Sequence, residues 1–182
     1  PEVTVTEIVK YSSNIGTAKL ILELGDVVGL QYLKNFGFGQ TTGIELPSEQ
    51  SGVLKSPGLR DIALVTTSYG QGMSATPLQL AMGTAAIANG GVLMAPRIVH
   101  RVEDAFGIVE ELYEPRAVRR VVSKEVAKQV QDMMVEVTKE GGTGTKARVD
   151  GVEVGGKTGT AQKPFQGGYG TDRVSSFVGF AP

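Results

Sequence analysis

The 182-residue sequence has no cysteine, and that absence removes disulfide staples, thiolate catalysis and cysteine-ligated metals together. It leaves the compartment open, because cysteine-free chains suit the cytoplasm and extracytoplasmic spaces alike. A surplus of charge is missing too. Eighteen basic against nineteen acidic residues leave a formal charge of −1, so no global field draws in a polyanion and nucleic acid is not an expected partner. His100 is the sole histidine, which excludes a histidine-rich metal site and fits a structural role at or near the surface; no metal or cofactor is expected. There is no long hydrophobic run either. Leu78 to Met94 is apolar, but Gln79, Asn89 and the Gly90-Gly91 pair interrupt it short of the roughly 20 residues a membrane span needs. Residues 1–7 lack the basic and apolar segments of a signal peptide, which leaves a cytoplasmic parent or a removed N-terminus.

What is present fits one globular core, or a large piece of one: 41% of positions are hydrophobic and 20% charged. Of the 25 glycines, nine cluster at 141–144, 155–159 and 167–170, beside Thr and Lys, as shaped turns rather than a linker. A compact apolar helix is predicted over 15–24 with Gly25 at its C-terminal cap, then a helix to about Phe36 with Asp26 as its N-cap, before Gly37-Phe38-Gly39. Residues 41–54 read as irregular. Pro77 suits the first position of a helix that stops at Asn89-Gly90-Gly91. Residues 92–102 and 108–113 read as extended around a turn at Phe106-Gly107, with 118–122 another extended piece. The clearest helix is 124–140, capped by Ser123, with Val126, Val130, Met133, Met134 and Val137 as its buried face. Residues 152–160 extend into a strand, turn through 164–170 and return as Arg173 to Ala181, apolar on both faces and so expected to be covered on both. Helices first, then a sheet flanked by helices, is an α+β arrangement.

Two short motifs carry the chemistry: Ser12-Ser13-Asn14 and Lys157-Thr158-Gly159-Thr160. Alone, each has an ordinary explanation: a cap for a helix starting at Ile15, and a turn or strand bulge. Together, in this order, they resemble the S-x-N and K-T-G motifs of the penicillin-recognising serine enzymes. The segments YGQGMSATPLQLAMGTAAIANGG (69–91), GGTGTKARVDGVEVGGKTGTAQKP (141–164) and RVSSFVGFAP (173–182) resemble monofunctional, class B penicillin-binding proteins. The likeness runs from about Ser12 to Pro182.

That resemblance implies a transpeptidase fold with an antiparallel sheet flanked by helices, of which 1–182 would be a partial domain. The implied parent cross-links peptidoglycan stem peptides ending in D-Ala-D-Ala through a serine acyl-enzyme, and binds β-lactam antibiotics. Ser12 would relay a proton, Asn14 would hydrogen-bond the substrate backbone and orient a catalytic lysine, and Lys157 would keep the cleft positive. Thr158 and Thr160 would hold the substrate carboxylate by charge-assisted hydrogen bonds, with the Thr160 N–H as half of an oxyanion hole. Gly159, without a side chain, would let the substrate lie against the strand. The implied parent is anchored in the cytoplasmic membrane, works outside it and meets cell-division or elongation proteins.

The sequence departs from the family in one large respect: no serine from Ser12 to Ser176 has a lysine three positions on, so S-x-x-K is absent. Thr143-x-x-Lys146 is the nearest imitation and is rejected, because it follows Ser12 and sits in a glycine-rich turn. The nucleophile is therefore expected upstream, a closing strand and helix downstream, and the 182 residues alone are expected to be inactive. Met133-Met134 reads as core filler, Arg116, Arg119 and Arg120 as a solvated patch, and Gly70-Gln71-Gly72 is no phosphate loop, because no Lys-Ser/Thr follows. A β-lactam-hydrolysing or β-lactam-sensing relative, and a non-catalytic peptidoglycan- or partner-binding module, stay open as alternatives.

Overall fold

The computed structural model describes residues 2–165 and 168–181. Its first element, α1 (Val5–Lys10), lies where no element was expected, and its β-branched Val5, Ile8 and Val9 do not favour a helix. A reciprocal capping box decides it: the Glu7 N–H donates to Thr4 Oγ1 and the Thr4 N–H to the Glu7 carboxylate. Next come α2 (Asn14–Leu24) and α3 (Asp26–Asn35), parted by Gly25 at φ 83°, a conformation that glycine reaches without a Cβ clash. Asp26 is the first helical residue of α3 rather than its cap. Its carboxylate instead accepts from the Gly58 and Leu59 N–H groups, at 2.6 and 3.1 Å, and pins the irregular segment to α3.

A second unexpected helix, α4 (Asp61–Ser68), has no side-chain cap. Its Thr66, Thr67 and Ser68 hydroxyls donate to carbonyls three or four residues back, and it packs on α2. Pro77 does open α5 (Pro77–Ala88), behind a Thr76–Gln79 capping box. Gln79 is 1% exposed, and its Nε2 donates to the Gln40 and Ser51 carbonyls at 2.7 and 2.9 Å, so one buried amide holds the 40–51 loop.

The extended run expected over 92–102 is two pieces, β1 (Val92–Met94) and β2 (Arg101–Glu103), with Pro96 between them. β2 pairs with β3 (Val109–Leu112) in an exposed hairpin around Phe106-Gly107, with His100 exposed at its base. β1 pairs with β4 (Ala117–Arg120). Arg120 is more than a solvated charge: its guanidinium donates to the Gly90 carbonyl at 2.8 Å and closes the turn after α5.

α6 (Lys124–Thr138) is capped by Ser123, as expected. Its buried face is turned from the expected one: Ala127, Met134, Val135 and Val137 are buried, Val130 and Met133 half-buried, and Val126 exposed. The helix lies against β5 (Gly155–Phe165) while α5 lies against β6 (Gly168–Phe180), the two helices side by side across one long antiparallel hairpin. Part of the turn expected in 164–170 lies outside the described residues. Val174 and Phe177 remain 50% and 44% exposed, so the second cover expected for the last strand is not present among the described residues. Among the described residues the strands form three separate two-stranded antiparallel sheets, an α+β architecture with the long hairpin against α5 and α6.

Candidate active site

Ser12 owes its position to how α1 ends. The Ser12 and Ser13 N–H groups donate to the Val9 and Ile8 carbonyls, closing α1 in a Schellman arrangement with Ser12 at the left-handed position, φ 55°. Glycine is the usual occupant there, and a non-glycine residue in that region carries a cost on the order of 1 kcal/mol. Ser13 then caps α2, its Oγ accepting from the Gly16 N–H at 3.1 Å, so the capping role belongs to the middle residue of the motif. Gly16 lets α1 approach: a Cβ there would lie 2.5 Å from Ile8 Cγ1.

Lys157 projects from β5 toward this turn. Its Nζ donates to Ser12 Oγ at 2.6 Å and to the Thr158 carbonyl at 2.9 Å. Desolvation on the cleft wall lowers its pKa below the ordinary lysine value. Thr158 and Thr160 flank Gly159 on the same strand, and Thr158 Oγ1 meets Thr143 Oγ1 at 2.9 Å. β5 is paired only with β6, Gly159 opposite Ser176 and Thr160 opposite Ser175, so its other edge is unpaired among the described residues. Asn14 is exposed and lines the same cleft; its side chain makes no hydrogen bond among the described residues.

All six residues singled out in the sequence, Ser12, Asn14, Lys157, Thr158, Gly159 and Thr160, therefore border one open cleft of about 1100 Å³. Its lining includes two cationic side chains, Lys157 and Arg173, and no carboxylate, which suits an anionic ligand. Two smaller apolar hollows, of about 460 and 330 Å³ on either side of Ala85, have no titratable lining residue. Among the described residues no cluster of His, Asp or Glu is placed to hold a metal, and no helix is long and apolar enough to cross a membrane.

Sequence reasoning missed several parts of the wall, Tyr69, Gln71 and Thr143 among them. Tyr69 and Gln71 enter from the loop after α4, where the Gln71 carbonyl accepts from the Tyr169 hydroxyl, and Thr143 enters from the turn after α6. For Thr143 the signal was the flanking glycines: a Cβ at Gly142 would sit 2.1 Å from the Val137 carbonyl oxygen, so only glycine lets this turn fold tightly onto the helix end.

The chain is similar to several known proteins. Stage V sporulation protein D of Bacillus subtilis is 40% identical over 182 residues, covering 98% of this chain and 28% of that protein. The probable peptidoglycan D,D-transpeptidase PenA of Neisseria gonorrhoeae is 34% identical, covering 100% of this chain and 30% of that one. The chain thus spans under a third of these relatives. Penicillin-binding protein 3 of Mycobacterium tuberculosis, in its complex with ampicillin, superposes with a TM-score of 0.89 at 36% identity, over 98% of this chain and 41% of that one. The apo TP domain of Burkholderia pseudomallei penicillin-binding protein 3 gives 0.87 at 35%, over 99% and 52%. The penicillin binding protein transpeptidase domain family matches residues 1–182 from end to end, and the chain belongs to it.

Proposed function

We propose that this chain supplies the S-x-N and K-T-G walls of the active cleft of a peptidoglycan D,D-transpeptidase that works by a serine acyl-enzyme. The observation that carries the reading is the 2.6 Å contact of Lys157 with Ser12, in a cleft lined by cations and no carboxylate. A stem peptide ending in D-Ala-D-Ala presents a terminal carboxylate one residue beyond an unstrained amide. Binding it calls for fixed donors and positive charge; breaking it calls for a nucleophile, an oxyanion site and a proton route to the leaving amine. Thr158 and Thr160 are the donors, and Lys157 the charge. Gly159 leaves room for the ligand to align along the unpaired edge of β5, and the Thr160 N–H supplies half of the oxyanion site. Ser12 passes the proton, and the exposed amide of Asn14 binds the ligand backbone and steadies the acyl-accepting serine's lysine partner.

The nucleophile belongs to an S-x-x-K segment that these 182 residues do not contain. β-Lactams are ligands of the same cleft, as the ampicillin and aztreonam complexes of the Mycobacterium tuberculosis relative suggest by similarity. The parent acts on cell-wall peptidoglycan outside the cytoplasmic membrane, anchored to it, among cell-division or elongation proteins.

Intact-mass measurement after mixing with ampicillin tests this. The full-length protein gains one long-lived acyl adduct, and the 182-residue chain gains none. Rapid turnover of ampicillin by the full-length protein points to a hydrolase instead, and absence of any adduct to a non-catalytic module.

A further inference from the structure

We infer that Thr143 is a positioning residue for the substrate carboxylate, acting through Thr158; the inference rests on the carboxylate reading of Thr158 given above. The two hydroxyls are 2.9 Å apart, and in the unliganded cleft Thr158 donates to Thr143. A hydroxyl has one proton to give, and a carboxylate only accepts. Thr158 therefore cannot bond a carboxylate and keep donating to Thr143. When the anion arrives, the Thr158 proton turns to it, and the Thr143 hydroxyl rotates to donate to the Thr158 oxygen. The result is a two-hydroxyl chain ending on the ligand, in which each bond polarises the next. A side chain without a donor at 143 would leave the Thr158 oxygen unpaired in the bound state.

The backbone holds Thr143 where this requires. Its N–H faces the Lys10 carbonyl at 3.4 Å, and the Gly144 N–H donates to the Val137 carbonyl at 2.9 Å. Gly144 is buried, and a Cβ there would lie 3.2 Å from Val137 Cγ1 and 3.4 Å from the Phe177 ring. The turn after α6 is thus seated between that helix and β6. Its threonine is carried to Thr158, whose pairing partner on β6 is the same Phe177.

The test is acylation of the full-length protein by a penicillin and by the same penicillin with its carboxylate converted to the carboxamide. Thr143→Val should slow reaction with the carboxylate form about three- to tenfold, the range of one net hydrogen bond, and reaction with the amide form less than about twofold. Thr143→Ser should restore the rate, since it returns the hydroxyl without the methyl. In a Thr158→Val background, Thr143→Val should add nothing, because the residue it acts through has lost its oxygen. Equal losses on both ligands, failure of Ser to rescue, or full additivity with Thr158→Val overturns the inference. If Thr158→Val is carboxylate-selective while Thr143→Val is silent, the inference falls and the carboxylate reading stands. If Thr158→Val shows no selectivity, both fall.

Discussion

Lys157 Nζ and Ser12 Oγ, 145 residues apart in sequence, meet at 2.6 Å. One sits on a strand that α6 buttresses and the other at the left-handed end of a six-residue helix, so the contact joins two elements that share no local structure. It makes the serine hydroxyl an acceptor from the ammonium, leaving its own proton to give to a third group, which is what a relay between a nucleophile and a leaving amine needs.

Ser12 should be separable from its backbone. In the full-length protein, Ser12→Ala and Ser12→Gly should both slow β-lactam acylation by a factor on the order of 10² to 10⁴, as loss of a proton-transfer group does. The glycine variant should be the more stable of the two by about 1 kcal/mol, because alanine keeps a Cβ in the left-handed region. Stopped-flow acylation and thermal unfolding read the two effects. A rate loss below about threefold in both variants, with the fold intact, leaves Ser12 as a helix terminus and nothing more.

Lys157 should titrate below the other lysines. Burial opposes its charged form, whereas Lys128 and Lys139, donating to Asp132 and Glu136, are held above the ordinary value. A side-chain NMR titration of lysine-labelled protein reads this order directly, and Lys157 titrating together with or after Lys128 contradicts it. In linkage terms its folded pKa is depressed, so its protonation opposes folding. Its favourable contribution is present above the unfolded lysine value, near 10.4, and is lost as pH falls through the folded one.

Acid should loosen the irregular segment around 40–60 through its carboxylates. Glu49 accepts from the Thr42 hydroxyl, the Thr42 N–H and the Gly43 N–H, and Asp26 from the Gly58 and Leu59 N–H groups; these bonds lower both pKa values. Because the folded values lie below the unfolded ones, the stabilisation is present above about pH 4, the unfolded carboxylate range, and is lost as pH falls through the folded values. Hydrogen exchange of the Thr42, Gly43, Gly58 and Leu59 amides should accelerate, beyond its intrinsic pH dependence, over that window. Protection that stays flat from pH 5 downward, or Glu49→Gln and Asp26→Asn variants with unaltered protection at neutral pH, would count against it.

The glycines of β5 should differ in what they tolerate. A Cβ on Gly156 would lie 2.3 Å from the Phe177 ring and 2.9 Å from the Val178 carbonyl, whereas one on Gly159 meets the Ser176 Oγ at 2.6 Å, an atom that can rotate away. Gly156→Ala should cost about 1–3 kcal/mol of stability by overpacking, and Gly159→Ala less, with its main effect on acylation. Chemical denaturation ranks them; the reverse order is the contrary result.

Much of this was legible in the sequence because local chemistry decides it. Ser123 and Gly25 mark helix ends through bonds to their own neighbours, Pro77 does so through its fixed φ, and the residues of the two motifs line one cleft. What was not legible depends on tertiary partners. α4 has β-branched residues and no cap, and it holds by packing on α2. The Thr4–Glu7 box was in the sequence but lay in a segment for which no element was expected, its β-branched residues not favouring a helix. The buried side of α6 turned away from Val126 because β5 and α1 meet the helix on the side of Ala127 and Val137. Thr143 was marked in the sequence by its flanking glycines and as a poor nucleophile, but nothing local to it reveals Thr158, 15 residues on, at hydrogen-bonding distance.

The central claim, that Ser12 and Lys157 act as one unit in acyl transfer, is tested most directly by a double-mutant cycle on the acylation rate of the full-length protein. The cycle uses Ser12→Ala, Lys157→Ala and their combination. A shared function predicts that the double variant loses little more than the worse single variant, a coupling of at least about 1 kcal/mol. Losses that simply multiply, within about 0.3–0.5 kcal/mol of additivity, would mean that the 2.6 Å contact joins two residues that do not work together.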